Sequence, residues 1–115
     1  MIKLLIISDD FTGALDTGVK FTAAGARTRV STDTQIDFRQ EIAEEVLVLC
    51  APTRHLPPRE AYDMIRSIAQ RAVAAHIGCV YKKTDSALRG NIGAELSAVL
   101  DGSGEKCLSF IPALP

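Results

Sequence analysis

The sequence predicts an α/β domain: a three-layer, doubly wound, mostly parallel five-stranded sheet, strand order 2-1-3-4-5. Three observations carry this. The runs Leu4-Leu5-Ile6-Ile7 and Val46-Leu47-Val48-Leu49-Cys50 are apolar throughout and read as strands buried on both faces. Segments of helical period separate the strand-like runs, and right-handed crossovers then leave few topologies. Polar clusters follow two of the strands, at the sheet edge where open α/β folds bind ligands.

Taken in order, residues 2–7 form the first strand and a helix runs from about Thr12 to Ala24. Its inner stripe is Leu15, Gly18, Val19 and Thr22; Asp10 or Thr12 caps its start and Gly25 ends it. Arg27 to Ser31 is a more polar strand suited to an edge, and residues 32–45 form an acidic loop with a short helical turn near Phe38 to Glu44. Val46 to Cys50 is the third strand. The loop Ala51 to Pro58 carries Thr53, Arg54 and His55, and Pro57-Pro58 opens the longest helix, reaching about His76. That helix turns Ala61, Met64, Ile65, Ile68, Ala72 and Val73 inward. Cys79 to Lys82 is strand four, and Asn91 caps a helix over Ile92 to Leu100 with Leu96, Val99 and Leu100 inward. Asp101 to Gly104 is a turn and Lys106 to Ile111 the fifth strand. A sheet that stops there, followed by the apolar tail Pro112-Ala113-Leu114-Pro115, reads as part of something longer. Its open edge and apolar tail leave self-association as an expectation.

The bulk numbers exclude several classes. At 115 residues the chain makes one small domain at most, and 47% hydrophobic with 23% charged residues is globular composition rather than disorder. A net charge of −1 gives no footprint for nucleic acid or an anionic membrane. The opening apolar run is too short for a signal sequence or a membrane span, so the expected location is the cytoplasm. Three cysteines without a CxxC pair indicate neither a disulfide framework nor a zinc site, and Cys50, Cys79 and Cys107 read as small buried hydrophobes.

Two clusters carry the chemistry. Ser8-Asp9-Asp10-Phe11-Thr12-Gly13-Ala14-Leu15-Asp16 sits where the first strand stops and a helix begins. One Asp suffices to cap a helix. Two in a row, with Thr12-Gly13 just beyond Phe11, can also accept hydrogen bonds from substrate hydroxyls, hold Mg²⁺ or act as a base on an alcohol. A response-regulator receiver would need an Asp ending the third strand, which ends Leu49-Cys50-Ala51. A haloacid-dehalogenase phosphotransferase would need Asp-x-Asp, a spacing that Asp9-Asp10-Phe11-Thr12 lacks. The second cluster, Lys82 to Asn91, combines a carboxylate, two hydroxyls, an arginine, a glycine and an amide; Lys82 itself reads as solvated rim. The mixture suits a polyhydroxylated acid, with Arg89 on the carboxylate, Asp85 and Asn91 on hydroxyls and Arg54 as a second anion contact. Neither a Walker-type glycine loop nor a GxGxxG is present, so nothing visibly binds ATP.

Leu5 to Gly18 (LIISDDFTGALDTG), Arg54-His55-Leu56, Tyr81 to Leu96 (YKKTDSALRGNIGAEL) and the terminal PALP together resemble the four-carbon acid sugar kinase family. The resemblance covers almost the whole chain. It implies ATP-dependent phosphorylation of threonate, erythronate or oxo-tetronate-type acids, with Mg²⁺ accompanying ATP. It also implies an N-terminal domain that binds the sugar acid and a separate C-terminal domain, absent here, that holds the nucleotide. Residues 1–115 then form part of the first domain, predicted inactive alone, with a non-catalytic binding or self-association module as the alternative. The matching substrate-contact positions are Asp9, Asp10, Thr12, Asp16, Lys83, Asp85, Ser86, Arg89, Gly90 and Asn91. Arg54 joins them on a segment less polar than the family's, and Asp10 is the candidate base.

Overall fold

The computed structural model describes residues 2–40 and 42–111. Its elements are β1 (Leu4–Ser8), α1 (Phe11–Ala23), β2 (Thr28–Ser31), β3 (Val46–Cys50), α2 (Pro58–Ala74), β4 (Cys79–Lys83) and α3 (Ile92–Ser103). The strands form one four-stranded sheet in the order β2-β3-β1-β4, and every pairing is parallel. The α/β class and the parallel sheet are as the sequence predicts; the strand order is not.

The order follows burial. β1 and β3 are the two fully aliphatic strands, and they take the centre, where both faces are covered. Leu5, Ile7, Leu47 and Leu49 point to the layer built from α2 and α3, through Ile65, Ile68, Ala72, Ala98 and Val99. Ile6, Val46, Val48 and Cys50 point the other way, toward Ala14 and Phe21 of α1. β2 and β4 carry polar or half-exposed side chains and lie outside. An order of 2-1-3-4-5 would have buried β4, whose Tyr81 is instead exposed. The expected fifth strand does not form over Lys106–Ile111, which runs as coil with Leu108 touching the core and Phe110 and Ile111 exposed. The terminal PALP lies outside the described residues.

Helix α1 departs from its predicted face. Leu15 and Val19 are exposed, while Gly13, Ala14 and Gly18 are buried. Small residues let this helix lie close to the sheet: a Cβ on Gly18 would come within 2.9 Å of Val30 Cγ2. Between β2 and β3 a hydrogen-bonded turn closes from the Gln40 N–H to the Asp37 carbonyl and no helix follows it among the described residues; Ile36, Phe38 and Ile42 fold under the α2–α3 layer. Arg71 of α2 pins that loop, stacking 5.3 Å from the Phe38 ring centroid and donating to the Ile36 and Thr34 carbonyls. Val73 points out of α2, and α3 continues through the expected turn to Ser103. Of the cysteines only Cys50 is buried; Cys79 and Cys107 are exposed. Among the described residues, no helix is long and apolar enough to cross a membrane.

α2 and α3 meet closely at Gly102, where a Cβ would lie 2.6 Å from the Arg66 carbonyl oxygen and 2.7 Å from Ala69 Cβ. A backbone carbonyl cannot swing aside, so overpacking outweighs the gain in helix propensity. Gly102→Ala should destabilise the domain by about 1–3 kcal/mol in urea unfolding. Gly93→Ala, on the same helix with open space around it, should be neutral or stabilising by up to about 1 kcal/mol. Equal effects of the two would show that the helices do not pack this way.

Candidate functional site

The ladder register brings β1, β3 and β4 to one level, because Ser8 pairs with both Cys50 and Lys83. Three connections leave those strand ends: Asp9-Asp10 into α1, the Ala51–Pro57 loop into α2, and the Thr84–Asn91 loop into α3. Both clusters singled out in the sequence therefore lie at the same carboxyl edge, with Arg54 between them.

Arg54 is the hub. Its Nε donates to Asp9 Oδ2 at 3.2 Å and its Nη2 to Asp9 Oδ1 at 3.1 Å, a two-pronged grip. The same Nη2 lies 3.4 Å from Asp10 Oδ1 and 3.2 Å from Asp85 Oδ1, so three carboxylates converge on one guanidinium. The Asp9 side chain is 1% exposed and both its oxygens are engaged, so its role is to hold Arg54. The hydrogen bonds that Arg54 donates to Asp9, followed by the charges of Asp9, Asp10 and Asp85, raise the Arg54 pKa against the opposing effect of burial.

Asp85 organises the next loop. Its Oδ2 accepts from the Ala87 and Arg89 backbone N–H groups and from Arg89 Nε; its Oδ1 accepts from Arg89 Nη2 at 2.8 Å. The Arg89 side-chain hydrogen bond is the main reason the Asp85 carboxyl is held well below the usual carboxylate range, with its backbone bond and the charges of Arg89 and Arg54 adding to it. The loop turns sharply: Leu88 has φ +60° and Gly90 φ +92°. A Cβ on Gly90 would sit 3.2 Å from both Arg54 Cγ and Asp9 Oδ2, so the loop closes over Arg54 only because this residue is glycine.

Asp10 caps α1 through a bond from the Gly13 N–H to Oδ1 at 3.1 Å, as expected. Its side chain is 29% exposed, and its Oδ2 carries no hydrogen bond among the described residues. The Lys83 ammonium lies over the same turn: a Cβ on Gly13 would meet Lys83 Nζ at 2.9 Å and Asp10 Oδ1 at 2.5 Å. Arg89, 67% exposed, presents the rest of its guanidinium to solvent.

The remaining sequence candidates divide. Thr12 and Ser86 are exposed near the cluster, and Asp16 is exposed a turn further along α1. Asn91 sits at the N-cap of α3, but its amide makes no capping bond; Nδ2 donates to the Thr53 and Leu56 carbonyls. Asp85 and the Asn91 Nδ2 are thus committed internally, whereas Asp10 keeps one carboxylate oxygen without a hydrogen bond among the described residues. Beneath the site, sequence reasoning missed a buried group. Glu95 Oε1 accepts from Thr53 Oγ1 at 2.8 Å and pairs with Lys82 Nζ at 3.1 Å, the Lys82 side chain being 2% exposed rather than a solvated rim. The available signal was position: Glu95 lies four residues from inward Val99 on α3.

No group of three or more His, Cys, Asp or Glu side chains among the described residues is placed to hold a metal ion. Asp9, Asp10 and Asp85 point at a guanidinium that fills the position a divalent cation would take, so these carboxylates do not fit Mg²⁺ as arranged.

Residues 4–115 match the model of a family described as the sugar-binding N-terminal domain, and the chain belongs to that family. It is 35% identical over 115 residues to a D-threonate kinase of Salmonella typhimurium, covering 99% of this chain and 27% of the relative. It is 33% identical to a D-erythronate kinase of Heliobacterium modesticaldum, covering 98% and 26%, and 34% identical to a 3-oxo-tetronate kinase of Escherichia coli, covering 100% and 30%. A Bordetella bronchiseptica protein described as a domain of unknown function, crystallised with citrate as a domain-swapped dimer, superposes with a TM-score of 0.80 at 33% identity. That match covers 87% of this chain and 26% of the other. The chain thus spans between a quarter and a third of the length of these relatives.

The pairing of Asp85 with Arg89 has a pH signature. A depressed carboxyl pKa adds stability above the unfolded value of about 3.9, and that stability is lost as pH falls through and below it. The melting temperature of the wild-type chain should therefore drop more steeply from about pH 5 to about pH 3 than that of Asp85→Asn. Parallel curves would show that the pairing does not favour the folded state.

Proposed function

We propose that this chain forms the sugar-acid-binding part of an ATP-dependent kinase acting in the cytoplasm on four-carbon acids such as threonate, erythronate or an oxo-tetronate. The observation that carries this is that Arg54, Arg89 and Lys83 are gathered at one sheet edge with Asp10, whose Oδ1 faces Arg54 and whose Oδ2 carries no hydrogen bond among the described residues. The exposed Arg89 fork and the Lys83 ammonium suit a substrate carboxylate, and Asp10 suits a hydroxyl as acceptor or as base. Thr12, Ser86 and the Gly90-Asn91 turn flank this opening, while Asp9 and Asp85 fix the arginines and Asp16 lies at the periphery. The kinase names of the relatives and the citrate, itself a hydroxy acid, in the Bordetella protein support the same class of ligand.

In the intact enzyme ATP with Mg²⁺ would supply the phosphoryl group, and this domain would contribute mainly by holding the acid in one orientation. We place the nucleotide site in the three-quarters of the relatives that this chain does not span. The chain alone should therefore phosphorylate no tetronate. A second reading, association between copies, draws on the β4 edge, which has no further strand beside it among the described residues, and on the swapped dimers of the Bordetella protein.

Calorimetry against D-threonate, D-erythronate and the oxo acids, with ATP as control, tests the main reading. One acid should bind saturably, and Asp10→Ala or Arg89→Ala should each weaken it by about tenfold to a hundredfold, the worth of a hydrogen bond to a charged group. A folded chain that binds none of these acids would sink the proposal. Light scattering over a concentration series decides the second reading: a monomer at every concentration removes it.

A further inference from the structure

We infer that Glu95, acting through Thr53 and balanced by Lys82, is a positioning residue that sets where Arg54 stands in the site. Glu95 and Thr53 are buried with the Lys82 side chain beneath the cluster, and none of the three reaches the opening. Each belongs to a different segment: Thr53 to the loop after β3, Lys82 to β4 and Glu95 to α3. Those are the segments that deliver Arg54, Lys83 and the Asp85–Gly90 loop.

The bonds run to backbone next to the functional side chains. Lys82 Nζ donates to the carbonyl of Lys83 at 3.0 Å, and Thr53 immediately precedes Arg54. The Thr53 hydroxyl lies 2.8 Å from Glu95 Oε1 and 3.2 Å from the Ala51 carbonyl. It has one proton to give, and the shorter bond to a charged acceptor takes it. Asn91 closes the arrangement from α3, gripping the Thr53 and Leu56 carbonyls at 3.0 and 2.8 Å. The Arg54 backbone is thus held on its N-terminal side by Glu95 and around the loop by Asn91, while Asp9 grips its guanidinium.

A pair of this kind is a poor way to gain stability, since burying charge costs much of what the pairing returns and apolar replacements often do as well. What an ionic trio adds at this spot is geometry: hydroxyl, ammonium and carboxylate are satisfied together in one arrangement of the three segments. Apolar side chains of similar volume would tolerate several. The inference rests on the sugar-acid reading only for the ligand used in one of its two readouts.

The experiment compares Thr53→Val, Thr53→Ser and Glu95→Gln with wild type in the full chain. The first readout is the exchange rate of the Arg54 Nε–H proton by NMR, which the Asp9 bond protects. The second is calorimetric affinity for D-threonate. Thr53→Val and Glu95→Gln should speed Nε–H exchange at least tenfold and weaken acid binding by a similar factor, while Thr53→Ser, which keeps the hydroxyl, retains both. A folded Thr53→Val with wild-type exchange and affinity overturns the inference, even if its melting temperature falls. Should wild type bind no acid, the sugar-acid reading fails and the exchange rates alone decide the role of Glu95. Should Glu95→Gln fail to fold, the two Thr53 variants carry the comparison.

Discussion

The site edge of this domain depends on one guanidinium. Asp9 follows a strand buried on both faces, so its carboxylate enters a region where an unpaired charge would be very costly. Arg54 compensates Asp9 with two bonds and lies against Asp10 and Asp85 as well. Because these groups come from three connections, the pairing also fixes how the connections lie against one another. Removing Arg54 would leave the buried Asp9 carboxylate without its cation beside Asp10, with Asp85 held only by Arg89, which is why the domain's shape at this edge and its capacity to bind an anion are the same problem.

Close backbone approach meets that problem twice. Gly13 lets Lys83 and the Asp10 carboxylate lie over the first turn of α1, and Gly90 lets the last loop settle on Arg54 with a positive φ. A methyl group would overlap the Asp10 and Lys83 side chains at Gly13, and at Gly90 it would crowd Arg54 and Asp9 on a backbone whose φ already disfavours a side chain. The glycines belong to the electrostatics rather than to flexibility. With the charges so arranged, Asp9 and Asp85 are spent on internal bonds, and Asp10, Lys83 and Arg89 remain to meet a ligand. An anionic, hydroxylated molecule fits such a remainder because it offers acceptors to the cations and a donor to the carboxylate.

Much of this was legible in the residues. The aliphatic runs identified the central strands, Pro57-Pro58 marked the start of α2, and Asp10 capped α1 as its chemistry requires. The two polar clusters do share an edge. The face of α1 was misread because Leu15 and Val19 satisfy the usual hydropathy rule, whereas close packing on the sheet selects Gly13, Ala14 and Gly18. Lys82 was misread because a lysine at a strand end is ordinarily solvated, and nothing local announces that Glu95 on a later helix will reach it.

By itself the sequence determined the α/β class, the elements that line the site and the residue types available there, because these follow from local period, turn chemistry and the position of polar groups after buried strands. Tertiary structure alone decided the order β2-β3-β1-β4, the convergence on Arg54 and the buried Thr53–Glu95–Lys82 group. Strand order and charge pairing depend on which surfaces meet across long stretches of chain. Thr53 and Glu95 stand 42 positions apart, and no periodicity along the sequence encodes that they touch.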